Sequence, residues 1–112
     1  MEMNVQIQTG DFDSGAEIKC LSAASHGVGG INTFVGFVRD NNQDDLVASL
    51  YLEHYPGMTE KQIEKIIEEA GLRWQMIAAR VVHRIGLLHP GEAIVFVGVA
   101  CAHRGDAFEA CQ

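Results

Sequence analysis

Apolar and polar residues change their spacing several times along this chain, and each change marks an element. Residues 5–8 alternate briefly and predict a short opening strand. Ser14-Gly15-Ala16-Glu17 has the Ser-x-x-Glu spacing of a capping box, so a helix is expected through Ile18, Leu21 and Ala24, stopping near His26-Gly27. Residues 31–39 are rich in β-branched and aromatic side chains and predict a strand. Its period of two puts Ile31, Thr33, Val35, Phe37 and Arg39 on one face, and Phe34, Gly36 and Val38 on the other. After the polar loop 40–45, Leu46, Ala48, Leu50 and Leu52 alternate with Val47, Ser49, Tyr51 and Glu53. A second, half-buried strand is expected there, forming a hairpin with the first. Thr59-Glu60-Lys61-Gln62 repeats the capping-box spacing, and Ile63, Ile66, Ile67 and Ala70 make one stripe on a helix that Gly71 should end. Residues 77–85 are strand-like and residues 86–91 read as a connection. Ala93–Cys101 is a nearly continuous apolar run, the pattern of a central strand covered on both faces. A helix over 107–112 closes the chain, with Phe108 and Cys111 beginning an apolar face that is not completed; a longer parent protein is expected. The order β-α-β-β-α-β-β-α predicts one α+β domain over residues 1–112, its helices packed on a mostly antiparallel sheet.

Composition narrows the class. The 112 residues are 47% hydrophobic and 21% charged, enough apolar surface to offset the ordering entropy, which excludes a disordered chain. The longest apolar run is ten residues, about half of the ~20 a spanning helix needs, and no basic-then-apolar leader pattern opens the sequence. Fifteen acids against eight bases give a net charge of −7, whose field repels nucleic acid. An anionic small molecule can bind such a protein only where its few cations gather. Cys20, Cys101 and Cys111 are odd in number and lack CxxC spacing, so they are expected to be reduced thiols of a cytoplasmic protein.

Three constellations could carry chemistry. His26-Gly27-Val28-Gly29-Gly30 could cradle a phosphate with its N–H groups, but it precedes a strand rather than a helix, and a helix end running into a turn explains it as well. The histidines at 26, 54, 83, 89 and 103 include no HExxH, and Cys101-x-His103 supplies two ligands where a metal site needs more; no metal and no resident cofactor are expected. Cys101 reads as a packing thiol at the end of a buried strand, not a nucleophile. Arg39 ends one expected strand, and His103-Arg104 follow another. If both strands share a sheet, the three cations could converge at its edge, where arginine forks suit phosphate and histidine can move a proton. Surface ion pairs with Asp40 and Asp106 are the plainer use of the same arginines. Arg73, Arg80 and Arg84 show no such gathering and are expected to be solvated.

The stretch Gly30-Ile31-Asn32-Thr33-Phe34-Val35-Gly36-Phe37-Val38-Arg39-Asp40 resembles the opening signature of the molybdopterin synthase large (catalytic) subunit family. Leu52-Glu53-His54-Tyr55 with Met58, Val82-His83-Arg84-Ile85-Gly86, Pro90-Gly91-Glu92, and Ala102-His103-Arg104 with Ala107-Phe108 continue the likeness in order over essentially the whole chain. The resemblance implies an α/β-hammerhead fold and a homodimer of large subunits within a heterotetramer. Each large subunit would bind a small ubiquitin-like sulfur carrier ending in a Gly-Gly thiocarboxylate. The implied reaction moves sulfur from that carrier onto cyclic pyranopterin monophosphate, twice, to build the dithiolene of molybdopterin. It further implies substrate contacts by Phe37, Val38 and Arg39 and by His103 and Arg104, with Arg39 and Arg104 on phosphate or pterin. His103 would be a hydrogen bonder or a proton donor, and with Arg39 forms the implied catalytic pair. The family's catalytic lysines are implied to lie beyond Gln112; Lys19, Lys61 and Lys65 match none of them. The alternative is a non-catalytic α+β module that dimerises through its sheet and binds a protein partner.

Overall fold

In the computed structural model, which describes residues 1–39, 50–52 and 58–112, the elements run β1 (Glu2–Gln8), α1 (Ser14–Ser22), β2 (Gly30–Phe37), β3 (Leu50–Leu52), α2 (Met58–Arg73), β4 (Met76–Arg84), β5 (Gly86–Leu88), β6 (Ala93–Cys101) and α3 (Arg104–Cys111). Four strands form one sheet in the order β1-β4-β6-β2, with β1 parallel to β4 and the other two pairings antiparallel. The mixed α+β architecture with a mostly antiparallel sheet is the expected one. β6 keeps the bounds its apolar run predicts, and it lies between two strands with helices over both faces.

The period of two sorts the core. On one face Ala78, Val82, Phe96 and Ala100 pack with Leu21 of α1, joined by Ile31 and Val35 of β2. Phe12 meets Phe96 edge-on at 6.1 Å between ring centroids. Full burial of side chains such as Leu21 and Phe96 contributes about 1.5–3 kcal/mol each. On the other face Ile67 of α2 covers Ala79 and Val81, while Ala107 of α3 covers Val99 and Cys101. An apolar groove of about 300 Å³ separates α2 from α3. Trp74 bridges it at one end, its Nε1–H donating to Glu109 Oε2 at 2.8 Å.

Several expectations need correcting. α1 is capped by Asp13, whose carboxylate accepts from the Ala16 N–H at 3.2 Å, not by Ser14, which is already helical. Glu17 is therefore free to leave the helix end, and it pairs with Arg80 at 2.6 Å. The expected hairpin is replaced: β2 pairs with β6, and β3 pairs with β5 in a separate two-stranded sheet. β5 occupies what reads as a mere connection. Thr59 lies inside the first turn of α2 rather than capping it, and α2 continues through Gly71 to Arg73. α3 begins at Arg104, three residues earlier than its pattern suggests. The loop 40–45 and the first half of the second expected strand lie outside the described residues.

Candidate functional site

β2 is an edge strand of the main sheet, and the expected anion-binding residues sit beyond its two ends. At its start, Gly30 pairs with Cys101, the last residue of β6. The chain then turns through Ala102 into His103, which occupies the N-cap position of α3 in extended conformation with no side-chain cap bond. Arg104 packs so near β2 that a Cβ on Gly30 would lie 3.1 Å from its Cα. A Cβ on Gly29 would lie 2.0 Å from the Ala102 carbonyl oxygen. Glycines 29 and 30 thus allow a close backbone approach. They do not cradle a phosphate, because the Gly29 N–H is already bonded to Cys101 O at 2.9 Å.

At the other end, Phe37 pairs with Ala93 after an irregularity in the ladder between Gly36 and Phe37. Phe37 is 56% exposed, as is Phe34. Val38 is buried, and both its peptide groups are engaged: its N–H donates to Glu92 O and its carbonyl accepts from the Gly91 N–H, each at 2.9 Å. Arg39 follows, exposed, and forms no ion pair with any described carboxylate.

The two cationic groups do not converge within one chain. Eight residues of extended strand separate them, and at ~3.3 Å per residue that is about 25 Å. β2 and β6 are neighbours, but antiparallel neighbours send their C-terminal ends in opposite directions. His103 and Arg104 are both exposed, and Arg104 makes no ion pair with Asp106.

The remaining candidates have other uses. Cys101 is fully buried and its thiol is pushed up, first by burial and then by the Asp106 carboxylate. Cys111 is raised by burial, against a hydrogen bond with Asn32 that lowers it. Both are the wrong kind of environment for a thiolate nucleophile. Among the described residues no group of three or more His, Cys, Asp or Glu could hold a metal. His83 Nδ1 lies 2.8 Å from Arg84 O, which can only accept, so that nitrogen carries the proton. Lys19 is exposed on α1, and Lys61 and Lys65 are exposed on α2.

Arg84 overturns its expectation most. It is not solvated but 7% exposed. Its Nε and Nη2 donate to Thr9 O at 3.2 and 3.0 Å, and its Nη1 donates to Ala93 O at 3.0 Å. Asp11 and Glu92 stand 3.8 Å from its terminal nitrogens. Arg80 is likewise paired, and Arg73 stacks over the Trp74 ring at 4.7 Å. The one sequence sign for Arg84 was its alternation with Ala78 and Val82, which puts it at the end of a core face.

A family model described as MoaE protein matches residues 7–112. The chain is 51% identical over 110 residues to the molybdopterin synthase catalytic subunit of Pseudomonas aeruginosa, covering 98% of this chain and 73% of that one. Among solved structures it resembles molybdopterin cofactor biosynthesis protein E from Burkholderia multivorans, with TM-score 0.89, 47% identity, and coverage of 99% and 72% of the two chains. It shares a fold with a chain of the Helicobacter pylori complex of subunits 1 and 2 of molybdopterin-converting factor, at TM-score 0.75, 20% identity, and coverage of 95% and 70%.

Proposed function

From the premise that this chain belongs to the MoaE protein family, we propose that it works as a molybdopterin synthase catalytic subunit. It accepts sulfur from the Gly-Gly thiocarboxylate of a small ubiquitin-like carrier and places it on cyclic pyranopterin monophosphate, opening the cyclic phosphate and building the dithiolene. Arg39 and Arg104 hold the phosphate or pterin through charge-assisted hydrogen bonds. His103, at the mouth of α3, hydrogen-bonds the substrate or delivers a proton as the phosphate ring opens. Phe37 offers an exposed ring beside Arg39, while Val38 contributes only by fixing the backbone. The protein acts in the cytoplasm, where its three thiols stay reduced.

The observation that carries this reading is the pair of exposed cationic groups at opposite ends of β2 on a chain of net charge −7. One small pterin cannot reach both ends of a single strand. A homodimer related by a two-fold axis, with β2 edges antiparallel, sets Arg39 of one copy beside His103 and Arg104 of the other. Two sites result, one at each end, and each has room for its own carrier, which gives the heterotetramer.

Titration calorimetry with cyclic pyranopterin monophosphate tests this. Arg39→Ala and Arg104→Ala should each weaken binding by about 1.5–3 kcal/mol, and Arg39→Lys should not fully restore it because the planar fork is lost. Mixing and re-equilibrating the two alanine variants should recover about a quarter of the tight sites, since half the dimers then carry one intact site. Unchanged affinity in both variants would remove the assignment, and no recovery on mixing would overturn a site shared between two copies.

A further inference from the structure

We propose that Glu92 is a positioning residue for Arg39, anchored by the buried Arg84 guanidinium; this rests on the reading of Arg39 as an anion-binding group. The ladder that aligns β2 with β6 is irregular between Gly36 and Phe37, so it does not carry its register on to residue 39. What holds the chain there is the turn at residues 89–92. Val38, the residue before Arg39, is gripped on both peptide groups by Gly91 and Glu92.

The turn is itself closed by Glu92. Its N–H donates to His89 O at 3.0 Å, and its Oε2 accepts from the His89 N–H at 2.5 Å. Gly91 adopts φ of +89°, a left-handed conformation that a side chain would strain. The other carboxylate oxygen, Oε1, faces Arg84 Nη2 at 3.8 Å, and the same guanidinium binds the carbonyl of Ala93, the next residue. Arg84 is fixed in turn by two bonds to Thr9 O in a poorly solvated setting, where such contacts are strong. Fixed charge, closed turn and gripped peptide therefore run in series from the core to Arg39. What the protein sets in advance here is the backbone direction at Arg39, through the two bonds on Val38. A group ordered before the ligand arrives does not lose that freedom on binding.

The test compares Glu92→Ala, Glu92→Gln, Arg39→Ala and the Glu92→Ala/Arg39→Ala double variant. Two readouts are taken: affinity for cyclic pyranopterin monophosphate, and amide exchange at Val38 and Gly91, with the Gly29 amide as reference. Glu92→Ala should weaken binding on the order of tenfold in the native background and add no further loss once Arg39 is alanine. Glu92→Gln keeps an acceptor for the His89 N–H and should restore most of the affinity. Exchange at Val38 and Gly91 should quicken about tenfold in Glu92→Ala while Gly29 is unchanged. An equal loss of affinity in both backgrounds, or unchanged exchange at Val38 and Gly91, would overturn the proposal. If Arg39→Ala alone leaves affinity intact, the anion-binding reading fails, and the exchange data then decide by themselves whether Glu92 sets this backbone.

Discussion

At the Gly30 end of β2, backbone rests on backbone: Gly29 faces the Ala102 carbonyl and Gly30 faces the Arg104 Cα, with no room for a Cβ on Gly29. At the Phe37 end the near neighbours of Gly36 are side chains, those of Val95 and Phe34, and not backbone. There a glutamate-closed turn and a buried arginine hold the chain by hydrogen bonds. Both ends present an exposed cation, yet one is fixed by steric exclusion and the other by a polar network. Steric exclusion tolerates no added volume and needs no charged partner. A network tolerates small shape changes and fails when a partner is removed.

The largest effect should come from breaking the steric end. Gly29→Ala forces a strand end away from a carbonyl oxygen and should cost about 3 kcal/mol, measured by urea unfolding, with pterin affinity falling as His103 and Arg104 move. A stable variant with native affinity would show that the approach is slack. Next comes the network end. Arg84→Met keeps apolar bulk but strips bonds from the Thr9 and Ala93 carbonyls, and should cost about 2 kcal/mol, with thermal unfolding as the check.

A smaller effect separates the two ends by pH. Cys101, whose carbonyl receives the Gly29 N–H, has a raised thiol pKa. A raised acid pKa stabilises the fold while the thiol stays protonated; that contribution is complete below the ordinary value of 9.0 and is lost as pH climbs through the raised one. Stability should therefore dip at alkaline pH, and Cys101→Ala should flatten the dip. At neutral pH a thiol alkylating reagent should label exposed Cys20 well before Cys101, and the reverse order would contradict the burial. Smallest of all, Arg39→Ala and Arg104→Ala should shift unfolding free energy by no more than about 0.5 kcal/mol, because both side chains are exposed.

Legibility in the sequence followed the range of the forces involved. β6 was readable to the residue and β4 to within one, because burial on both faces writes a long apolar run. β5 was not, since three residues carry no period and its partner β3 is remote in sequence. The β2–β6 pairing escaped for the same reason: adjacent strands suggest a hairpin, and nothing local says otherwise. Asp13 and Ser14 are both good caps, so the pattern alone chose the wrong one. The exposed cations at 39, 103 and 104 were legible as candidates, chiefly through the motif resemblance. Their separation was not, because it depends on strand direction. Beyond its alternation with Ala78 and Val82, Arg84 leaves no mark in the sequence because burial of a charge is a property of the assembled sheet, and Glu92 leaves none because Val38 and Arg84 reach it only in the folded chain.

The parallel pairing of β1 with β4 carries a consequence for biogenesis. Glu2 pairs with Ala78, whereas β4 and β6 come as near in sequence as His83 and Val95. Closing a loop costs entropy that grows with its length, so the β4–β6 pair can form early while β1 waits. β1 leaves the ribosome before every other strand of the sheet and is among the last able to join it. Until Arg84 emerges, the Thr9 carbonyl must be satisfied by water, and the opening strand is a free edge for chaperones to shield.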